Sequence, residues 1–210
     1  SNGDADYTFY KEKPLAATDY SMPEFTDRDY FLFGSYYSIC PGLRPQVKDI
    51  LHAAHRAGTV IYYDINFRRS HIHQKQELLP VIQENCRLSS IVRGSADDFD
   101  ILFGTRDPEE IYRKHISPFC PIFICTAGAG HIFICTPKGT YDFIVPQIPA
   151  NEIVSTVGAG DSFNAGFLCA MHRQDICKAD LADMSHNQWK LLVEHGIKYS
   201  SQVCRSQDNY

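Results

Sequence analysis

Ser155-Thr-Val-Gly-Ala-Gly-Asp-Ser-Phe-Asn-Ala-Gly-Phe167 decides how this chain is read. Gly158 and Gly160 predict a turn, and the small residues Gly158, Ala159 and Gly160 let backbone N–H groups converge on one point. A helix follows, with Phe163, Ala165, Gly166, Phe167, Ala170 and Met171 small and apolar enough to pack against a sheet. The first N–H groups of a helix lack intrahelical partners, and the helix dipole favours negative charge there. The stretch therefore predicts an anion site with the carboxylate of Asp161 at its mouth. Converging amides stabilise the charge that a migrating phosphoryl group spreads over its equatorial oxygens. A carboxylate in reach accepts the proton of an attacking hydroxyl. The same residues also read as a glycine turn before a helix, with Asp161 as a cap or first-turn charge.

Outward from this stretch, helices and strands alternate. Downstream, 174–183 reads as a loop or short turn. A long helix over 185–204 then buries Trp189, Leu192, Val193, Ile197 and Val203. Upstream, a loop at 146–149 follows strands at 121–126, 131–135 and 141–145, which form an antiparallel meander. Before them, a buried strand over 29–34 leads to a helix over 41–58, apolar at Val47, Ile50, Leu51 and Ala54 and stopped by Gly58. A strand over 59–64, a helix over 74–87 (Leu78, Leu79, Val81, Ile82 and Cys86 inward), a strand over 89–93 and a short helix over 108–116 complete the series. Strand–helix–strand units imply parallel pairing. The fold expected is α/β: a three-layer α/β/α sandwich on a mainly parallel sheet with an antiparallel edge meander. Residues 4–11 alternate aromatic and polar, as an exposed strand does, and 12–28 read as a loop.

Polar groups at the carboxyl end of a parallel strand line the crevice of open α/β sheets. Asp64 and Asn66 there can bond hydroxyl groups of a ligand, and Arg68 can clamp an oxyanion or keto group; a surface turn with a paired arginine is the alternative. Ser95 reads as a helix N-cap. His71 and His73 lack a third ligand nearby and read as solvated loop histidines.

The chain has 210 residues, enough for one domain or most of one. A net charge of −5 without a basic run argues against nucleic acid or a membrane surface as partner. No stretch is apolar enough to span a bilayer, and no signal-peptide pattern opens the sequence. The eight cysteines form no C-x-x-C pair, and several lie in apolar runs, so free thiols in a reducing cytoplasm are expected. Neither a Walker phosphate loop nor G-x-G-x-x-G after a strand is present.

Val157-Gly-Ala-Gly-Asp-Ser-Phe163 closely resembles the C-terminal signature of the PfkB (ribokinase-like) carbohydrate kinases. The segment 64–68 is similar to that family's Asp-Pro-Asn-x-Arg, with Ile65 for Pro, and looks most like fructokinases and 2-keto-3-deoxysugar kinases. The resemblance implies a ribokinase-like sandwich that uses ATP and Mg2+ to phosphorylate a hydroxyl of a small sugar, with Asp161 as general base and Gly158, Ala159 and Gly160 as anion hole. It implies nucleotide contacts at Thr126, Gly128, Gly130 and Asn164, because Thr126-Ala-Gly-Ala-Gly130 resembles Thr-x-Gly-x-x-Gly with its last glycine one residue early. Ser95-x-x-Asp98 stands where the family shows Asn-x-x-Glu facing the magnesium–phosphate cluster. Ser155 stands where the family has Asp beside a K+ site, and it keeps the carbonyl but not the charge.

Family members carry a further N-terminal region with sugar-binding glycine and asparagine motifs that this sequence lacks, so the resemblance covers roughly the last two-thirds of such a kinase. Residues 4–11 correspond to a lid strand, and a lid strand that pairs with a second copy makes a homodimer an expectation. The departures at Ser95, Asp98 and Ser155 keep open a non-catalytic or regulatory relative that binds sugar or nucleotide. A nucleoside kinase on the same fold is a further alternative.

Overall fold

A computed structural model describes residues 20–128 and 130–206. The expected lid strand at 4–11 lies outside them. Among the described residues, six strands form one sheet in the order β1 (Tyr30–Gly34), β2 (Val60–Asp64), β3 (Ile91–Ser95), β4 (Ile122–Ala127), β5 (His131–Thr136), β6 (Gly139–Ile144). Strands β1 to β4 pair in parallel; β4–β5 and β5–β6 are antiparallel. The parallel sheet and its antiparallel edge are those expected from the sequence.

Both faces are covered. One carries α5 (Ala159–Arg173) and α6 (His186–Cys204), whose Phe163, Phe167, Trp189 and Leu192 pack on Tyr62, Ile91, Ile124 and Ile134. The other carries α2 (Lys75–Leu88), α3 (Ala96–Phe103) and α4 (Pro108–Ile111), with Leu78, Ile82, Phe99, Leu102 and Ile111 against Tyr63, Val92 and Phe123. Leu51 and Ala54 of α1 (Arg44–Ala57) pack on Ile61 and Leu88. Val60, Tyr62 and Tyr63 point to alternate faces and all are buried, as a doubly covered parallel strand requires. Each fully buried large side chain contributes about 1.5–3 kcal/mol.

Two expectations need correction. β1 is half-buried rather than buried, with Leu32 42% exposed, because it is the outermost strand of the described sheet. His71 is buried with its ring stacked on Tyr36 at 4.3 Å, while His73 is exposed: the aromatic neighbour gives the His71 ring an apolar seat. Among the described residues, no helix is long and apolar enough to cross a membrane.

Candidate active site

Parallel pairing brings the carboxyl ends of three strands together. Asp64 of β2 lies opposite Arg93 of β3, and Ser95 lies opposite Thr126 of β4. After Asp64, Asn66 adopts φ 40°, a left-handed conformation that asparagine tolerates better than most residues, and this turns the chain toward Arg68.

Asp64 is 6% exposed and faces inward. Its two carboxylate oxygens accept from Nη1 of Arg93 at 3.1 and 3.0 Å, and Oδ2 also accepts from Nδ2 of Asn164 at 2.6 Å. Arg93 Nη2 donates to Thr126 Oγ1 at 2.9 Å, and the Tyr62 hydroxyl donates to Asn164 Oδ1 at 3.0 Å. Burial works to lower the pKa of Arg93, but the adjacent Asp64 carboxylate overrides it and holds the guanidinium charged, above its ordinary value. Burial raises the Tyr62 phenol and keeps it a neutral donor.

Residues 158–161 form the opposite wall. Gly158 sits at φ 80°, where a side chain would be strained, and starts α5 without a side-chain cap. Ala159 N–H donates to Thr156 O at 3.2 Å, so one of the three amides expected to meet an anion already has a partner. The amides of Gly158, Gly160 and Asp161 donate to no other described residue. Asp161 itself is exposed in the first turn of α5.

These walls enclose an open cleft of ≈ 650 Å³. Of the residues expected to act, Asp64, Asn66, Arg68, Ser95, Asp98, Gly158, Gly160 and Asp161 line it. Ser95 and Asp98 form a capping box on α3: Ser95 N and Oγ donate to Asp98 Oδ2 at 2.7 and 2.6 Å, and Asp98 N donates back to Ser95 Oγ at 3.2 Å. Burial raises the Asp98 pKa while the Ser95 hydrogen bonds pull it down.

The other expected residues lie apart from the lining. Thr126 sits behind Arg93, and Asn164 is 1% exposed beneath the cleft. Gly128 (φ 60°) and Gly130 belong to the β4–β5 turn. Ser155 is tied to α6 through Cys204 O, and its hydroxyl accepts from Val157 N. Arg93, Arg69, Thr156 and Val157 also line the cleft and were missed by the sequence reading. Arg93 left one signal: a charged residue between Val92 and Gly94 in an apolar strand must find a buried partner.

The sequence profile of the pfkB family carbohydrate kinases matches residues 2–204. The chain belongs to this family.

PfkB relatives of several specificities are similar to it. It is 29% identical over 183 residues to an aminoimidazole riboside kinase of Salmonella typhimurium, covering 82% of this chain and 54% of that protein. It is 26% identical to a 2-dehydro-3-deoxygluconokinase of Escherichia coli K12, covering 69% of this chain and 48% of that protein. A structure of a double mutant of the PfkB-fold fructokinase from Vibrio cholerae O395, bound to fructose, ADP and a potassium ion, superposes with a TM-score of 0.72 at 21% identity. That match covers 90% of this chain and 58% of the fructokinase chain. The chain thus spans about half the length of the curated PfkB relatives it matches. Among the described residues, no group of three or more His, Cys, Asp or Glu side chains is placed to hold a metal.

Proposed function

We propose that this chain carries the phosphoryl-transfer site of an ATP-dependent sugar kinase whose acceptor is a ketose such as fructose or a 2-keto-3-deoxy sugar acid. One observation carries it: Asp161 and the unspent amides of Gly158 and Gly160 border the same cleft as Asn66 and Arg68. The phosphate and the acceptor alcohol would meet between these walls.

In this reading Asp161 takes the proton of the acceptor hydroxyl as its oxygen attacks the γ-phosphorus. The bond to the β–γ bridging oxygen breaks, and the amides receive the charge that grows on the equatorial oxygens. Asn66 bonds sugar hydroxyls, and Arg68 meets the keto or carboxylate oxygen. Asp64 holds Arg93 and still lines the cleft where sugar would bind, and Asn164 supports Asp64 from its buried position. Thr126, Gly128 and Gly130 remain the edge along which nucleotide would approach.

The donor set suits Mg2+ carried by phosphate oxygens and water, since Asp98 reaches the cleft with one oxygen already bonded to Ser95. Bound there, Mg2+ would neutralise phosphate charge. A K+ ion would need the carbonyl of Ser155. A cytoplasmic location and a homodimer belong to the same proposal.

A coupled ATP-consumption assay over ketoses, 2-keto-3-deoxy sugar acids and nucleosides tests this, with Asp161→Ala as control. Turnover on a sugar that vanishes in Asp161→Ala is the expected result. Near-normal turnover in that variant refutes the assignment. The Ser95–Asp98 pair, which bond each other, favours one rival, a relative that binds sugar or nucleotide without transfer. That rival predicts ligand binding with no ATP consumption on any substrate.

A further inference from the structure

Arg93 stands in an unexpected place. A Cβ on Gly160 would lie 3.3 Å from both Nη1 and Nη2 of Arg93 and 3.6 Å from its Cζ, so the guanidinium edge abuts the first turn of α5. A cation at a helix N-terminus opposes the helix dipole. Here Asp64 offsets it, with two contacts to Arg93, and Asp64 is also held by Asn164, four residues beyond Gly160 in α5. Thr126 fixes the second terminal nitrogen of Arg93. The ends of β2, β3 and β4 are therefore tied to α5 through one buried guanidinium and one buried carboxylate. Gly160 does not carry a positive φ; what it provides is the missing Cβ that lets the guanidinium approach.

We infer that Arg93 is a positioning residue. Seated against Gly160 and neutralised by Asp64, it fixes the first turn of α5, and with it the Asp161 carboxylate and the free amides facing the cleft. The physical reason is stiffness. The first turn has no side-chain cap, and its first intrahelical bond is Ser162 N to Gly158 O at 2.9 Å. Without a brace, such a terminus frays. A base that works through position loses its rate when it wanders by about 1 Å.

The test has two readouts, because the kinetic one rests on the proposed kinase activity and the other does not. Amide hydrogen exchange is followed at Ser162 and Phe163, and at Phe167, Ala170 and Met171 as internal controls. Kinetics give kcat and KM for ATP and sugar. In Arg93→Met, Ser162 and Phe163 should exchange at least about 10-fold faster while the control amides stay within about 3-fold. kcat should fall by about 10-fold or more with KM nearly unchanged. Arg93→Lys, which can still meet Asp64, should recover part of both effects.

Should Arg93→Met fail to fold, Gly160→Ala decides: it keeps the Arg93–Asp64 pair while its Cβ presses on the guanidinium, and because alanine's helix propensity would by itself raise protection, a local loss reports the disturbed seat. It should show the same local loss of protection. Unchanged exchange at Ser162 and Phe163, or a uniform loss along α5, overturns the inference. So does a raised KM for ATP at constant kcat, which would make Arg93 a direct ligand. If no sugar is phosphorylated by the unaltered chain, the kinase proposal fails on its own, and the exchange result still decides the role of Arg93.

Discussion

Asn164 Nδ2 donates to Asp64 Oδ2 at 2.6 Å across 100 positions of sequence. The same Asn164 accepts from the Tyr62 hydroxyl, so one amide serves two buried groups, one of them charged. Asn164→Ala leaves the Tyr62 hydroxyl without an acceptor and Asp64 with one donor fewer. A loss of about 2–3 kcal/mol in unfolding free energy is expected, read from the denaturant midpoint at constant m-value.

Asp161→Asn removes the proposed base and keeps the shape. Because Asp161 is exposed and its side chain has no hydrogen bond among the described residues, thermal stability should change by no more than about 1–2 °C. Turnover should fall by about 10²–10⁴-fold. Calorimetry and steady-state kinetics on the same preparation check both halves.

Glu84 bridges α1 and α2, accepting from Arg44 at 2.7 Å and Lys48 at 2.8 Å. Hydrogen bonds from Lys48 and then Arg44 lower its pKa to about 2. The folded state thus binds the Glu84 proton less readily than the unfolded chain, for which the ordinary value is about 4.3. Its contribution is complete above that value and is lost as pH falls toward the folded one. Glu84→Gln should therefore lower the melting temperature at neutral pH, and the gap to the unaltered chain should close between about pH 5 and pH 2. Melting curves across that range measure it, and a gap that does not change with pH would contradict the ionic origin.

Gly166 lies where α5 crosses α6. A Cβ there would come within 2.8 Å of His195 O, 2.8 Å of Tyr199 Cδ2 and 3.1 Å of Gly196 Cα. Alanine gains up to about 1 kcal/mol of helix propensity over glycine. Two of the three obstacles are backbone atoms, which cannot rotate away, so overpacking of about 1–3 kcal/mol should win. Gly166→Ala is expected to lower the denaturant midpoint, whereas a helix gain alone would raise it.

Much of the fold is legible in the sequence. Val60 to Tyr63, continuous in apolar residues between two helical patterns, reads as a strand, and the expected three-layer sandwich covers both its faces. The meander from Ile122 to Ile144 was marked by its turns. Gly158, Gly160 and Asp161 were legible because a tight turn and a helix start are decided within a few residues. His71 and β1 were misread because burial there depends on which neighbours lie alongside: Tyr36 for the one, the sheet edge for the other.

The roles around Asp64 were also beyond local reading. As a sequence, Asp64-Ile-Asn-Phe-Arg68 offers three polar groups to a ligand, and nothing in it says that the first turns inward. That choice belongs to Arg93, 29 residues away, and to Asn164. Strand register puts Arg93 beside Asp64, and the packing of α5 on the sheet brings Asn164 to Asp64.

The sequence by itself determined the elements, the family and the glycine–aspartate wall, because turn chemistry and hydrophobic period act over short distances. Only the tertiary structure decided that Arg93 lies against Gly160 and that Asp64 pairs with Arg93. A buried charge takes its partner from whatever the fold brings within about 3 Å, and that distance is set by strand register and helix packing, not by position along the chain.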